Sequence, residues 1–145
     1  MIKPEDLRIG NLFNPNLSYI NEKRQCELLN FAIVTSIDNL NIGFTTNIPR
    51  LNVVPKLMKI DRIEPIKLTP EILGQIECCA LENGFYEIGR LTIDFNRDAH
   101  GYFLHSAFIK DSLIDNFNYL HELQNIYYYT HKKQELPIDI NTLKI

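Results

Sequence analysis

A chain of 145 residues is long enough for one compact domain, or for two small ones sharing a core. With 45% hydrophobic and 23% charged residues, its composition excludes a chain too polar to fold. The net charge of −3 conceals a change of sign: residues 50–67 hold five basic against two acidic side chains, and residues 68–130 hold three against nine. Such asymmetry can orient self-association or the approach of a partner. The first six residues lack the apolar run of a signal peptide, and no stretch approaches the length of a membrane span. Cys26, Cys78 and Cys79 are odd in number and lack zinc-ligand spacing, so they read as reduced packing residues.

In chain order, Leu7-Arg8-Ile9-Gly10-Asn11-Leu12-Phe13 alternates around a glycine, as a strand entering a tight bend does. Residues 14–30 are polar and contain Pro15, and they predict a long hairpin loop or an insertion. Residues 31–37 are β-branched and strand-like; Asp38-Asn39 is a turn, and residues 40–44 alternate out of it. Two more short strands are expected at 51–54 and 58–63, with Pro49 and Pro55 keeping both near edges or turns. Basic residues alternating with Val53, Leu57, Ile60 and Ile63 then read as the wet face of strands. Five short antiparallel strands in so few residues predict a small SH3-like β-barrel over residues 1–66.

The second half, residues 67–145, reads as an α+β half packed on that barrel in one unit. Thr69-Pro70-Glu71 predicts a capped helix start, with the helix running to about Glu82 and ending at Asn83-Gly84. Leu91, Ile93 and Phe95 alternate with polar residues as a half-buried strand, turning at residues 97–101 and returning over 102–108. Residues 86–88 are expected to pair on its other side. A final helix is expected to begin between Asp111 and Asp115 and to end near Thr130, with Leu113, Phe117, Leu120, Leu123 and Tyr127 in one apolar stripe. The fold class is therefore α+β: a barrel, a helix, a β-hairpin or meander, and a C-terminal helix.

Three segments, Leu7-Arg8-Ile9-Gly10-Asn11, Ile63-Glu64-Pro65-Ile66-Lys67-Leu68-Thr69 and Tyr119-Leu120-His121-Glu122-Leu123-Gln124-Asn125-Ile126-Tyr127, resemble a family of small uncharacterised proteins of Bacteroidota phages and prophages. The resemblance spans most of the chain. It implies an accessory protein of the host-cell cytoplasm or the virion, with no activity attached.

Candidate sites are few. Gln124 falls within the apolar stripe, where an amide must be hydrogen-bonded. His121, Asn125 and Tyr128 lie beside it and could form a pocket, which is the alternative of a small-ligand binder or an enzyme with its site there, although a polar network that locks packing is the commoner use of such residues. Tyr128 and Tyr129 offer contact area for a protein partner or a second copy. The tail residues Leu136, Ile138, Ile140, Leu143 and Ile145 are too apolar to hang in water, and are expected to cover either their own fold or another copy. Lys56, Lys59 and Arg62 form the alternative, a nucleic-acid surface, against which stand an acidic chain and a segment without aromatic residues. Asp94, Asp98, His100 and His105 are ligand-type side chains without metal-site spacing. There is no serine elbow and no phosphate loop, so neither catalytic residues nor a cofactor are expected. The residues read as a non-enzymatic interaction protein.

Overall fold

Gly10 takes a left-handed φ of 93°, and this bend launches the first sheet. The computed structural model describes residues 2–54, 56–96 and 104–145. The chain divides into two compact units, Met1–Ile66 with Lys144–Ile145, and Lys67–Leu143. It is mixed α+β and mostly antiparallel, with two α-helices among the described residues.

In the first unit, Asn11 is fully buried and holds the bend: its Oδ1 accepts from the Arg8 N–H at 2.7 Å. Gly10 and Asn11 also exchange backbone hydrogen bonds with Val34. Strands β1 (Leu12–Phe13), β4 (Ala32–Ile37), β5 (Asn41–Thr45) and β6 (Lys56–Lys59) form a sheet in the order β1-β4-β5-β6. Asp38 makes the β4–β5 turn by accepting from the Leu40 and Asn41 N–H groups at 2.8 and 2.7 Å. Phe13 meets Phe44 edge-on at 5.8 Å, within a core that includes Val34, Ile42, Ile60 and Ile63. Between β1 and β4, β2 (Ser18–Ile20) and β3 (Cys26–Leu28) pair as a separate ribbon.

No closed barrel is found among the described residues; what is present of the expectation is an antiparallel sheet. Among the described residues the four strands form an open sheet, and β1 and β6 are its edges. A single antiparallel bridge joins Asn14 to Glu64 through reciprocal hydrogen bonds of 2.9 and 3.1 Å. The strand expected at 51–54 is instead a 3-10 turn, Pro49–Asn52, followed by exposed Val53 and Val54. Thr46 draws that turn in, because Asn52 bonds both its N–H and its hydroxyl. The strand expected at 58–63 ends at Lys59 and gives way to a 3-10 turn, Ile60–Arg62.

The second unit is a five-stranded sheet, ordered β11-β10-β9-β8-β7, with helices α1 and α2. Its strands are β7 (Cys79–Ala80), β8 (Phe85–Ile88), β9 (Leu91–Asp94), β10 (His105–Ile109) and β11 (Ser112–Phe117). The turn expected at 97–101, and Tyr102 and Phe103 of the returning strand, lie outside the described residues.

Two helix expectations are corrected. Helix α1 spans only Pro70–Leu73. Thr69 does cap it, its Oγ1 accepting from the Ile72 N–H at 3.2 Å. Beyond Gly74, distant partners claim the backbone: Ile76 bridges Ile138, the Glu77 N–H donates to the Pro137 carbonyl, and β7 pairs with β8. The last helix, α2, is Leu120–Thr130, so its end is as expected but its start is not. Residues 112–117 are strand β11, and Leu113, placed in the helix stripe by its spacing, is 55% exposed there. Glu122 sets the true start by accepting from the Asn118 and Tyr119 N–H groups at 2.7 and 3.0 Å.

Candidate functional site

The site with the most geometric definition lies along β6. A groove of about 750 Å³ is lined by Pro15, Asn16, Leu17, Asn41, Phe44, Lys56, Leu57, Met58, Lys59 and Arg62. Four consecutive residues of one strand contribute to it. Alternate side chains of a strand face opposite sides of the sheet. One groove can therefore touch all four only if it runs along the strand's free edge. The topology agrees, since among the described residues β6 pairs with β5 alone.

The hydrogen-bond phase identifies the open backbone groups. The Ile60 N–H donates to the Leu40 carbonyl at 2.9 Å, next to the register pair of Asn41 with Lys59. By antiparallel alternation, Met58 and Lys56 turn their backbone groups to β5, and Leu57 and Lys59 turn theirs to the groove. Leu57 is 73% exposed on the outer face, opposite Gly43, which has no side chain to cover it. On the inner face, Met58 packs against the first unit's core. Lys59 and Arg62 are exposed and Lys56 is half-buried. The nearby Glu64 carboxylate accepts from Asn16 Nδ2 at 2.9 Å.

A second cleft, of about 350 Å³, lies between the β2–β3 ribbon and Arg50. Here the Tyr19 hydroxyl and Asn21 Nδ2 donate to the two oxygens of Glu27, at 2.7 and 2.6 Å. The Tyr19 hydrogen bond, with help from Asn21, holds the Glu27 carboxyl below its usual range. The same bond pushes the Tyr19 phenol up. Arg50 lies 5.6 Å from the Tyr19 ring centre and donates to the Ile20 carbonyl. Both oxygens of the Glu27 carboxylate are engaged, so this arrangement latches the ribbon.

The residues singled out in α2 are spread from the interior to the surface. His121 and Gln124 are buried, Asn125 and Tyr128 are half-buried, and Tyr129 is 72% exposed. Tyr128 is thus less available than expected; its ring meets Tyr129 edge-on at 5.4 Å. Of the tail residues, Leu136 and Leu143 are buried, Ile138 bridges Ile76, and Ile145 is exposed.

Lys56, Lys59 and Arg62, by contrast, come together on the one groove. The reading of Leu57 as an inward residue is corrected, as is that of Val53: both point into solvent. Sequence reasoning also missed Phe44, Met58 and Pro15-Asn16-Leu17 as groove walls. The available signal was Lys56-Leu57-Met58-Lys59 itself, because lysines at both ends of a short strand are a mark of sheet edges.

Of the four ligand-type residues, Asp98 and His100 lie outside the described residues. His105 is fully buried, stacked on Phe95 at 4.0 Å and tilted against Phe117 at 5.5 Å. Burial holds its pKa down at about 4, against some opposing pull from Asp94. No group of three or more His, Cys, Asp or Glu side chains that could hold a metal occurs among the described residues. Nor is any described helix long and apolar enough to cross a membrane. No protein-family model, no curated protein and no solved structure matches the chain.

Proposed function

We propose that this chain is a non-enzymatic interaction protein that holds an extended, acidic segment of a partner protein along β6. The observation that carries the reading is the groove on the free edge of that strand, rimmed by Lys56, Lys59 and Arg62. An added strand takes its affinity from backbone hydrogen bonds and its specificity from alternate side chains. Leu57 offers an apolar contact on one side of such a strand, and the three cations select carboxylates. Lysines at an edge deter neutral strands; the same lysines admit an acidic one. We read the first unit as an SH3-like barrel. The β4-β5-β6 meander with β1 beside it, the 3-10 turn after β6 and the Asn14–Glu64 bridge support this. The resemblance noted above supports a phage or prophage accessory factor, acting in the host cytoplasm or on the virion.

The convergence of three cations also favours a second reading, a nucleic-acid regulator. Against it, Phe44 is only 4% exposed, so the groove offers no open ring face for a base to stack on. Fluorescence anisotropy decides between them, using a labelled peptide that alternates glutamate with valine and, separately, a single-stranded DNA oligonucleotide. The expected result is saturable peptide binding that is lost in K56E/K59E/R62E and absent for a lysine–valine peptide. Tight, salt-dependent binding of DNA without binding of the acidic peptide would replace this reading with the second.

A further inference from the structure

A second free edge in this chain has the chemistry the groove selects. Among the described residues, strand β11 ends the five-stranded sheet and pairs only with β10. Its first five residues, Ser112 to Asn116, are exposed, and Leu113 and Ile114 are 55% and 42% exposed. Two carboxylates, Asp111 and Asp115, flank that apolar pair, and both are exposed. Edge strands in natural proteins are kept short, charged with lysine, or covered. This one is six residues long, carries no lysine and exposes apolar side chains.

The pairing with β10 also gives β11 a particular shape. Ala107 faces Asp115 and Phe108 faces Leu113, so Ile114 is an extra residue in a β-bulge. A bulge bends its strand and breaks a long ladder into short stretches. Such an edge suits a short complement better than a long one. Strand β6 is short: only Leu57 and Lys59 turn backbone groups outward. Its Lys56, Lys59 and Arg62 complement Asp111 and Asp115 in sign. Leu57 complements Leu113 and Ile114 in polarity.

We infer that the strand added at the β6 groove is β11 of a second copy of this chain. The inference rests on the groove reading above and names its occupant. The two surfaces differ, so the contact is head-to-tail. Two copies that exchange both contacts close as a two-fold dimer; where they do not, each copy keeps one groove and one β11 edge open for the next, which gives a ring or a growing series. Opposite charges at the contact make assembly weaken as salt rises.

Sedimentation velocity on the full chain at rising concentration tests this, with two charge-reversed variants. The first, D111K/D115K, makes both surfaces basic; the second, K56E/K59E, makes both acidic. The wild-type chain is expected to reach the mass of a dimer or more at low salt and return toward monomer at high salt. Each variant alone should stay monomeric, and an equimolar mixture of the two should associate again, because the reversed charges then meet their opposites. A wild-type chain that stays monomeric while the glutamate–valine peptide still binds would overturn this inference and leave the groove reading standing. Association that is lost in K56E/K59E but kept in D111K/D115K would also overturn it, since another segment would then fill the groove. Association that survives in both variants, with no peptide binding, would end both readings.

Discussion

The two units bury different kinds of polar side chain. In the first unit these are Asn11 and Thr46, an amide and a hydroxyl. Both work on turns, Asn11 against Arg8 and Thr46 against Asn52, and neither can change its charge. In the second unit they are His105, His121 and Gln124. An imidazole can be buried cheaply only while it is neutral. The first unit thus uses buried polarity to shape its chain, and the second buries an imidazole, that of His105, whose pKa burial lowers.

The largest effect should come from placing a fixed charge in the second unit. Gln124 is 5% exposed on the buried side of α2. Gln124→Glu puts a carboxylate there and should destabilise by roughly 3 kcal/mol or more, with Gln124→Leu costing about 1–3. Urea melts followed by tyrosine fluorescence report chiefly on this unit, because six of the seven tyrosines lie in residues 67–143 and the chain has no tryptophan. Shifts below about 0.5 kcal/mol in both variants, typical of open positions, would place Gln124 in a pocket instead.

Acid should separate the units next. The His105 pKa falls from 6.5 to about 4 in the folded chain. Above pH 6.5 the imidazole is neutral in both states and its contribution to stability is constant. Between 6.5 and 4 only the unfolded state takes up the proton, so stability falls as pH falls, by up to roughly 3 kcal/mol for this shift. Below about 4 both states are protonated and this loss stops growing. In the first unit, Glu27 and Asp38 have folded pKa values below their ordinary 4.5 and 3.8, through bonds from Tyr19 and Asn21 and from the Leu40 and Asn41 N–H groups. Their contribution is intact above those values and is lost only at more acid pH. Hydrogen exchange at pH 7, 5 and 3.5 should therefore show the second unit opening first. His105→Phe keeps the stack on Phe95 and should flatten the upper step. Equal loss of protection in both units at pH 5 would contradict the comparison.

Between these and the smaller effects lies the question of what the sequence could reveal. Features set by neighbours in the chain were legible: the Gly10 bend, the Asp38 turn, the Thr69 cap, the end of α2 and the alternation of β9. Those decided by distant partners were not. Gly74 to Ala80 has helix-like spacing, yet Ile138, Pro137 and Glu87 claim its backbone, and that outweighs a helix already weakened by about 1 kcal/mol at Gly74. Leu113 and Phe117 have helical spacing too, but pairing with β10 makes them strand. At the candidate site the three cations were legible as a group. That they share a groove with Leu57 was not, because the face a strand presents depends on a register the local residues do not specify.

A change in the first unit gives the contrast at intermediate size. Asn11→Ala removes the side-chain oxygen to which the part-buried Arg8 N–H donates and should cost about 1–3 kcal/mol. Because no titration is involved, the cost should be the same at pH 7 and pH 5, whereas that of His105→Phe should change sign or shrink. A cost for Asn11→Ala that varies with pH across this window would show that the units do not divide as described.

The smallest effect sits at Gly89, where the second unit fastens the end of α2 without burying a charge. Gly89 has φ of 56°, and the following Arg90 N–H donates to His131 Nε2 at 2.9 Å. The imidazole stacks on Tyr127 at 3.9 Å, and its Nδ1 lies 3.1 Å from the Tyr127 carbonyl. An acceptor at Nε2 puts a ring proton on Nδ1, which faces both the Thr130 hydroxyl, at 2.9 Å, and that carbonyl. A Cβ at Gly89 would come within 2.5 Å of His131 Nε2, so Gly89→Ala must displace the ring as well as strain the backbone. The ring ends a side chain that can move, so the expected cost is about 1–2 kcal/mol, most of it the left-handed conformation. His131→Ala opens the space and removes the hydrogen bonds, and in that background Gly89→Ala should cost only its backbone part. A double-mutant cycle measures the difference. A coupling of zero would mean that the turn and the helix end are held independently, and the clamp would no longer account for where α2 stops.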